Sequence, residues 1–511
     1  MPDRFIGCRP DRLSGQILAN YLGQGWSAAM AIAFLPAYVA ILGPASFGLV
    51  ALFALALSVL AIVDVVVAST LLRESARYKS GQCSSETFLS VVESIKTLTI
   101  LLAAGLLATV LTGSSWAASH WIQAGNLTST SVSQALNWMA VILAIRILEG
   151  AYRGILIGFE RQWQVNLWLA LTATARYPGA LAALLLWDAT TDVFFAWQAT
   201  VAGLSVLILA RMARRAMPPG QGARLLSLVA LRSVAGFSVP MVGLSVATIA
   251  LTSVDKLLLT RLVDLAEFGR YALASMATGL LYVIVVPLTQ GAAPRMVGAC
   301  ASGNVEPLAD IHRRVVQLTT LLVGTAGTCL ALFPGHLIYA WSGDQALVAT
   351  VSPYLSCLAI AAMANCFGHL GYNLLLTAGR VPPLLRIAVL ALATAAVVMP
   401  PMVARWGGIG AAYACIGINV AQAFVTLGLA HGKILPGLGF SVLRRDVMIP
   451  AMVIGLVMVA AWRLQPGIAE GRGTALVFLL ATAAISLVLS AFFAPAIRWE
   501  FGMRYIGGPR R

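Results

Sequence analysis

The chain has 511 residues, of which 59% are hydrophobic and only 10% are charged, and its formal net charge is +15. Soluble proteins average about 25% charged residues, so this composition indicates a multi-pass membrane protein and excludes a water-soluble enzyme or a large folded ectodomain. The basic residues are spread through short connections instead of forming one stripe, which gives no indication of a nucleic-acid partner. The seven cysteines include no CxxC pair, so we expect neither disulfides nor a metal site, and no cofactor.

In chain order, residues 1–13 form a basic N-terminus without a cleavage site, and the first apolar run therefore stays in the protein. Because each later apolar run is also long, the spanning elements are helices, and a β-barrel would show ten-residue alternation instead. The sequence predicts about fourteen spans. They fall near 14–42, 48–72, 89–112, 134–158, 165–187, 193–210, 234–262, 268–292, 315–340, 350–377, 384–403, 408–431, 447–463 and 473–497.

These spans group into two six-helix lobes and a final pair. The N-lobe covers 14–210, and a basic linker, 211–233, leads to the C-lobe at 234–431. An extra helix pair at 432–497 and a basic tail at 498–511 complete the chain.

Orientation follows from the positive charges in alternate connections. One set of connections, which includes both termini, holds 24 of the 34 Lys and Arg residues, and the other set holds 5. This asymmetry predicts that both termini lie in the cytoplasm.

A short internal match suggests that the lobes are related repeats. Phe47-Gly48 follows the first span and Phe268-Gly269 follows the seventh, at an offset of 221 residues within similar surroundings. An even number of spans separates the two sites, so the repeats would be parallel and related by an axis along the membrane normal. Chance is the alternative, because Phe-Gly turns are common.

Six short segments, in order over the whole chain, carry a resemblance to a known family. They are Leu42-Gly43-Pro44 with Phe47-Gly48, Gly158-Phe159-Glu160-Arg161 with Asn166, Asp255-Lys256, Phe268-Gly269-Arg270-Tyr271, the run from Leu375 to Arg380 and the run from Gly407 to Ala414. With these segments the chain resembles the polysaccharide exporter branch of the multidrug/oligosaccharidyl-lipid/polysaccharide transporter superfamily. One departure is span eleven, which lacks an expected asparagine and ends in Met399-Pro400-Pro401.

The resemblance implies an all-α fold, with two six-helix lobes around a central cavity plus a C-terminal helix pair. It also implies a bacterial inner-membrane protein that is not an enzyme. In related lipid II flippases the extra pair helps to form a groove for the polyprenyl tail, which here is analogy only.

Charged residues inside the spans are costly, so they face a wet interior or pair with one another. Glu93 and Lys96 are three residues apart and can pair along one helix face. Glu149 lies three residues after Arg146 and four before Arg153. Span four therefore offers two arginines for one glutamate.

Span five places Arg176 at its midpoint, at the same predicted depth as Arg146 and with no acidic neighbour on its helix. Guanidinium groups bind diphosphate bidentately and stay charged when buried. We therefore expect Arg146, Arg153 and Arg176, together with Lys256, to attract an anionic substrate head group. The alternative for Arg176 is a structural pair with an acid such as Asp64 or Asp255.

Three carboxylates, Asp64, Glu149 and Asp255, are candidates for coupling to H⁺ or Na⁺, with a helix-to-helix ion pair as the alternative. Adjacent residues diverge on a helix, so we expect Asp255 and Lys256 to have different partners.

Asn20 and Gln24 lie four residues apart in span one and are expected to line the cavity.

The sequence therefore favours a flippase that moves a polyprenyl-pyrophosphate-linked oligosaccharide, an O-antigen, capsule or exopolysaccharide unit, to the outer leaflet by alternating access. Its partners would be this glycan, H⁺ or Na⁺, membrane lipids and other polysaccharide assembly proteins. One alternative is a multidrug or cation antiporter of the same superfamily, although the spans carry five basic residues against four acidic ones. A membrane glycan polymerase or ligase is the other, but the longest outer connection, 113–133, carries one histidine and no acidic or basic side chain.

Overall fold

The structure is a computed structural model, which describes residues 10–79, 81–219, 252–301, 305–467 and 470–494 and the single positions 227, 232, 246, 249 and 250. The side chains of residues 10–24, 28, 65, 76, 294 and 381 are not described. Asn20 and Gln24 are therefore outside the described side chains. The described part is almost entirely helical and contains no strand. The predicted all-α membrane fold is confirmed.

The chain divides into two compact units. Unit 1 comprises Met1–Ser253 with Asp264–Gly269, and unit 2 comprises Val254–Val263 with Arg270–Arg511. The first five helices belong to unit 1. They are α1 (Pro10–Lys79), α2 (Ser85–His120), α3 (Ser129–Gly158), α4 (Gln162–Leu186) and α5 (Thr191–Ala216).

Residues 252–262 are helical and precede α6 (Leu265–Thr278), which begins in unit 1 and ends in unit 2. The remaining helices belong to unit 2. They are α7 (Leu280–Ala301), α8 (Val305–Leu332), α9 (Pro334–Ser342), α10 (Gln345–Thr377), α11 (Val381–Trp406), α12 (Gly408–Ile434), α13 (Gly439–Leu464) and α14 (Arg472–Phe492). Within α13, Val442–Met448 is a π-helix.

Eleven helices among the described residues are long and apolar enough to cross a membrane. The long helix α1 contains the first two predicted spans, and Gly43 interrupts it between them with a φ of 79°. Glycine adopts this left-handed conformation at little cost, and Pro44 follows it directly. Helix α3 is not one of the eleven and carries three charged side chains, Arg146, Glu149 and Arg153. Most of predicted span seven lies outside the described residues.

A stripe of glycines on α3 lets the second half of α1 approach closely. A Cβ on Gly150 would collide with Asp64, and one on Gly154 would collide with the backbone of Ala68. Gly158 faces Leu72 and Ser75 of α1 in the same way. Small residues at four-residue spacing are the usual means of close helix packing in membranes, where lipid tails remove the hydrophobic drive. This stripe fixes the position of Asp64 against α3.

The two Phe-Gly segments of the internal match contact each other within unit 1. A Cβ on Gly48 would collide with the backbone carbonyl of Leu265, and the nearest atom to a Cβ on Gly269 is the Pro44 carbonyl oxygen. The adjoining Phe47 and Phe268 are both buried. The glycines therefore serve close packing at this contact.

Each unit has its own apolar core. The core of unit 1 is centred on residues from α1, α2, α3, α4 and α5, among them Leu71, Phe88, Val92, Ile155, Val165 and Leu209. Unit 2 is packed around residues of α7, α8, α10 and the π-helix, among them Leu281, Val285, Val316, Val323, Cys366 and Val442. Packing in these cores fixes the positions of the helices that carry the charged residues within the spans.

Candidate functional site

A chain of polar contacts joins α3, α5 and α4 inside unit 1. Arg146 Nη1 donates to Glu149 Oε2 at 2.8 Å, and Ser205 Oγ donates to Glu149 Oε1, also at 2.8 Å. The Trp168 indole N–H donates in turn to Ser205 Oγ at 3.0 Å. The Glu149 side chain is only 1% exposed, whereas that of Arg146 is 18% exposed. Both carboxylate oxygens of the buried glutamate are therefore hydrogen-bonded.

Arg153 pairs with Asp64 of α1, not with Glu149. Its Nη2 contacts Asp64 Oδ2, and each side chain is about one quarter exposed. Of the two arginines that the sequence sets against one glutamate on α3, Arg153 thus finds its acid on another helix. Gly150 is the physical reason, because its missing side chain leaves room for Asp64 beside α3.

Arg176 lies half-buried in the middle of α4. Two hydrogen bonds from α1 anchor its neighbours: Trp26 Nε1 donates to Thr174 Oγ1 at 2.9 Å, and Tyr38 Oη donates to the Tyr177 carbonyl at 2.7 Å. These bonds fix the register of α4 against α1. Arg176 itself has no ion pair and no hydrogen bond within the part of the chain that the structure describes. Asp64 pairs with Arg153 instead.

Some polar side-chain atoms around Arg146 and Asp64 have no hydrogen-bond partner among the described residues. Arg146 Nε and Asp64 Oδ1 are both buried and have no hydrogen-bond partner among the described residues. A guanidinium carries five N–H donors, and Glu149 accepts from only one nitrogen of Arg146. Arg176 therefore has guanidinium donors available for an anion within the described part of the chain, whereas the buried Arg146 Nε is out of an anion's reach.

Unit 2 contains a second polar cluster. Tyr271 Oη donates to Asp255 Oδ2 at 2.7 Å and lies 3.6 Å from Cys415 Sγ. Lys256 Nζ lies 3.5 Å from the same Asp255 oxygen. The expectation that Asp255 and Lys256 have separate partners is thus wrong for this contact, because the flexible lysine stem reaches back to its neighbour. Asp255 is 8% exposed.

An amide pair extends this cluster. Asn419 Nδ2 donates to the Cys415 carbonyl at 2.9 Å, and Asn365 Nδ2 donates to Asn419 Oδ1 at 2.6 Å. The pair joins α10 to α12. Within the described ranges, no three His, Cys, Asp or Glu side chains are grouped to hold a metal ion.

Sequence reasoning missed the partners that come from distant helices. Ser205 and Trp168 of unit 1 are ordinary residues of apolar helices, and neither their type nor their spacing marks them. Tyr271 is sixteen residues from Asp255 across a break in the helix. The glycines at 150, 154 and 158 were a readable signal, since their spacing of four predicts one close-packed face.

Solved structures with a similar fold include a flippase and several multidrug transporters. The lipid II flippase MurJ, in an inward closed conformation, has a TM-score of 0.72 at 11% identity, with 95% of this chain and 99% of that chain covered. An inward-facing multidrug resistance MATE transporter of the MOP superfamily has a TM-score of 0.63 at 15% identity, covering 80% and 94%. The MATE multidrug transporter DinF-BH has a TM-score of 0.59 at 13% identity, covering 84% and 97%.

The chain therefore shares the fold of the MurJ flippase and of MATE transporters, an all-helical multi-pass membrane fold. The polysaccharide biosynthesis protein family matches residues 15–298, which is more than half of the chain. The chain belongs to that family, as its short motifs predicted. The MatE family matches residues 240–401. No curated protein matches the sequence.

Proposed function

We propose that this protein is a flippase that moves a polyprenyl-pyrophosphate-linked oligosaccharide from the inner to the outer leaflet of the bacterial cytoplasmic membrane by alternating access. The substrate has a diphosphate, a polar glycan and a prenyl tail, and only the first two resist crossing hydrocarbon. The protein must therefore attract and shield an anionic head group, while the tail remains in lipid.

The observation that carries this proposal is the charge balance within the spans of unit 1. Asp64, Glu93 and Glu149 each have one cationic partner, namely Arg153, Lys96 and Arg146. After these three pairs, Arg176 is the cation in the spans of unit 1 that has no acidic partner among the described residues. An uncompensated guanidinium in the middle of a spanning helix is expensive unless an anion or water meets it.

The guanidinium N–H groups that have no protein partner are suited to bind a diphosphate. A guanidinium binds phosphate oxygens through parallel N–H donors. The Arg176 head has no partner in the described part of the chain, and Arg146 is 18% exposed beside its bond to Glu149. Arg153 contributes less in this proposal, because Asp64 already occupies it.

Among the coupling candidates, Asp255 is the one we assign to H⁺ or Na⁺. Asp64 and Glu149 each contact an arginine, whereas Asp255 Oδ2 contacts a tyrosine hydroxyl and a lysine at the longer distance of 3.5 Å. A neutralised Asp255 would lose its charge attraction for Lys256, while its carbonyl oxygen would still accept from Tyr271. Asp255→Asn should therefore abolish the dependence of export on the ion gradient while leaving the protein folded.

The test is genetic complementation in a strain that lacks the gene. Loss of surface polysaccharide, with lipid-linked oligosaccharide trapped on the inner leaflet, is the expected phenotype. The wild-type gene should restore export and Arg176→Ala should not, at equal expression. Arg405→Ala is the matched control, because Arg405 lies at the end of α11 and stacks over Trp406 at 4.9 Å.

A multidrug antiporter is the second candidate. The MatE match at residues 240–401 and the likeness to multidrug MATE structures favour it. It predicts unchanged glycans and altered drug tolerance in the same deletion strain, so one strain separates the two functions.

A further inference from the structure

A groove of about 330 Å³ runs between the N-terminal part of α4 and the C-terminal part of α5 in unit 1. Arg161 and Arg215 line one end of it. Leu167 and Leu171 continue along the groove on α4, and both are 52% exposed. One end is therefore cationic and the rest is apolar.

Arg215 also borders a second depression of about 540 Å³ on α5, together with Arg211, Arg214 and Leu207. Leu207 is 67% exposed. Four arginines thus cluster where α4 begins and α5 ends, at the end of both helices that the charge asymmetry predicts to face the cytoplasm.

These four arginines have no acidic partner in the described ranges. The acid next to Arg161 in sequence is Glu160, and Lys79 Nζ already binds it at 2.5 Å. Arg77 nearby is likewise paired with Glu74 at 3.0 Å. The cluster is therefore a net positive surface rather than part of an ion-pair network.

The length of the groove matches the apolar depth of one leaflet. Arg161 and Leu171 are ten residues apart, which is about 15 Å along a helix, and one leaflet of the hydrocarbon core is also about 15 Å thick. Trp163, which is 57% exposed, lies near the charged end, where tryptophan is enriched at membrane interfaces. A head group bound at the charged end of the groove would lie at the same depth as the head groups of the surrounding lipids.

One wall of the groove is held in place from inside the protein. Trp168 lines the groove, and its indole N–H is already bonded to Ser205 Oγ. Its ring therefore offers an apolar surface to the groove and no free donor.

We propose that this groove is a binding site for an anionic phospholipid, whose phosphate lies between Arg161 and Arg215 and whose acyl chain lies along Leu167 and Leu171. Basic pockets between membrane helices on the cytoplasmic side bind anionic head groups by charge attraction. We assign the groove to a phospholipid because a phosphate held at the helix ends stays at the interface and is not carried inward. The exported glycolipid starts at the same depth, and the test below includes it as a competitor.

The test uses the full-length protein in detergent micelles, with phosphatidylglycerol and phosphatidylcholine as probes and native mass spectrometry as the readout. The wild type should retain phosphatidylglycerol in preference to phosphatidylcholine. Because each arginine near the surface strengthens the attraction of an anionic lipid about fivefold, the double variant Arg161→Ala/Arg215→Ala should bind phosphatidylglycerol roughly 30-fold more weakly. Equal retention of both lipids by the wild type overturns the proposal.

The matched control is Arg380→Ala/Arg386→Ala, which removes the same charge from a connection of unit 2 and should keep the preference. An equal loss in this control means that net charge alone attracts the lipid, which contradicts a site. The thermal unfolding midpoints of both variants without added lipid should equal that of the wild type, because these arginines have no protein partner to lose in the described ranges.

A second readout locates the lipid. Brominated phosphatidylglycerol should quench the fluorescence of the wild type more than that of Trp163→Phe, and brominated phosphatidylcholine should show a smaller difference. If a polyprenyl diphosphate displaces phosphatidylglycerol at equal concentration, the groove receives the exported lipid, and the assignment to phospholipid is wrong.

Discussion

Replacing Glu149 by alanine removes the carboxylate that joins α3 to α5. The change leaves the Arg146 guanidinium without its acid and the Ser205 hydroxyl without its acceptor. Breaking one side of a buried ion pair costs about 3–5 kcal/mol. Arg146 is 18% exposed, so screening reduces this to about 2–3 kcal/mol.

The lost hydrogen bond from Ser205 adds about 1 kcal/mol. The free energy of unfolding should therefore fall by about 3–4 kcal/mol. For a unit of this size, 1 kcal/mol corresponds to about 2–4 °C, so the unfolding midpoint should fall by about 6–16 °C. Tryptophan fluorescence in detergent measures this midpoint, because the Trp168 indole is hydrogen-bonded to Ser205 in the same set of polar contacts.

Two further variants test whether the broken ion pair causes the loss of stability in Glu149→Ala. Adding Arg146→Met to Glu149→Ala removes the uncompensated charge and should restore at least about 2 kcal/mol. Glu93→Ala, on a pair whose side chains are 30% and 19% exposed, should cost less than about 1 kcal/mol. A midpoint for Glu149→Ala equal to that of Glu93→Ala, or no rescue by the second substitution, would refute the buried network.

The close helix contacts make two more predictions. Gly150→Ala places a Cβ against the Asp64 carboxylate, so it should push that side chain away from Arg153 and lower the free energy of unfolding by about 1–3 kcal/mol, as measured by thermal unfolding. Gly48→Ala meets the Leu265 carbonyl, which cannot rotate away, and should lower the midpoint at least as much. Gly105→Ala, which meets nothing within 4 Å in α2, is the control for both and should be neutral or stabilising. Equal midpoints for all three variants would show that neither contact is tight.

The sequence was sufficient to predict the helical class, because span length and apolar composition are local properties. It also predicted the Arg146–Glu149 and Glu93–Lys96 pairs, which depend only on helix spacing. The family, too, was readable from short motifs in order.

The partner of Arg153 was not readable. Asp64 is 89 residues away, and the pairing depends on the packing of α1 against the glycine stripe. Helix spacing also allows a pair between Arg153 and Glu149, which the tertiary packing does not select. Contacts between helices need the fold, and the bond from Tyr271 to Asp255 is another example.

In the proposed function, Arg176 meets the anionic head group of the exported lipid. The most direct measurement is the amount of lipid-linked oligosaccharide on the inner leaflet in a deletion strain that expresses Arg176→Ala, Arg176→Lys or Arg405→Ala at equal levels. We predict accumulation with Arg176→Ala, partial export with Arg176→Lys, which keeps the charge but not the planar fork, and normal export with Arg405→Ala. Normal export by Arg176→Ala would contradict this role for Arg176.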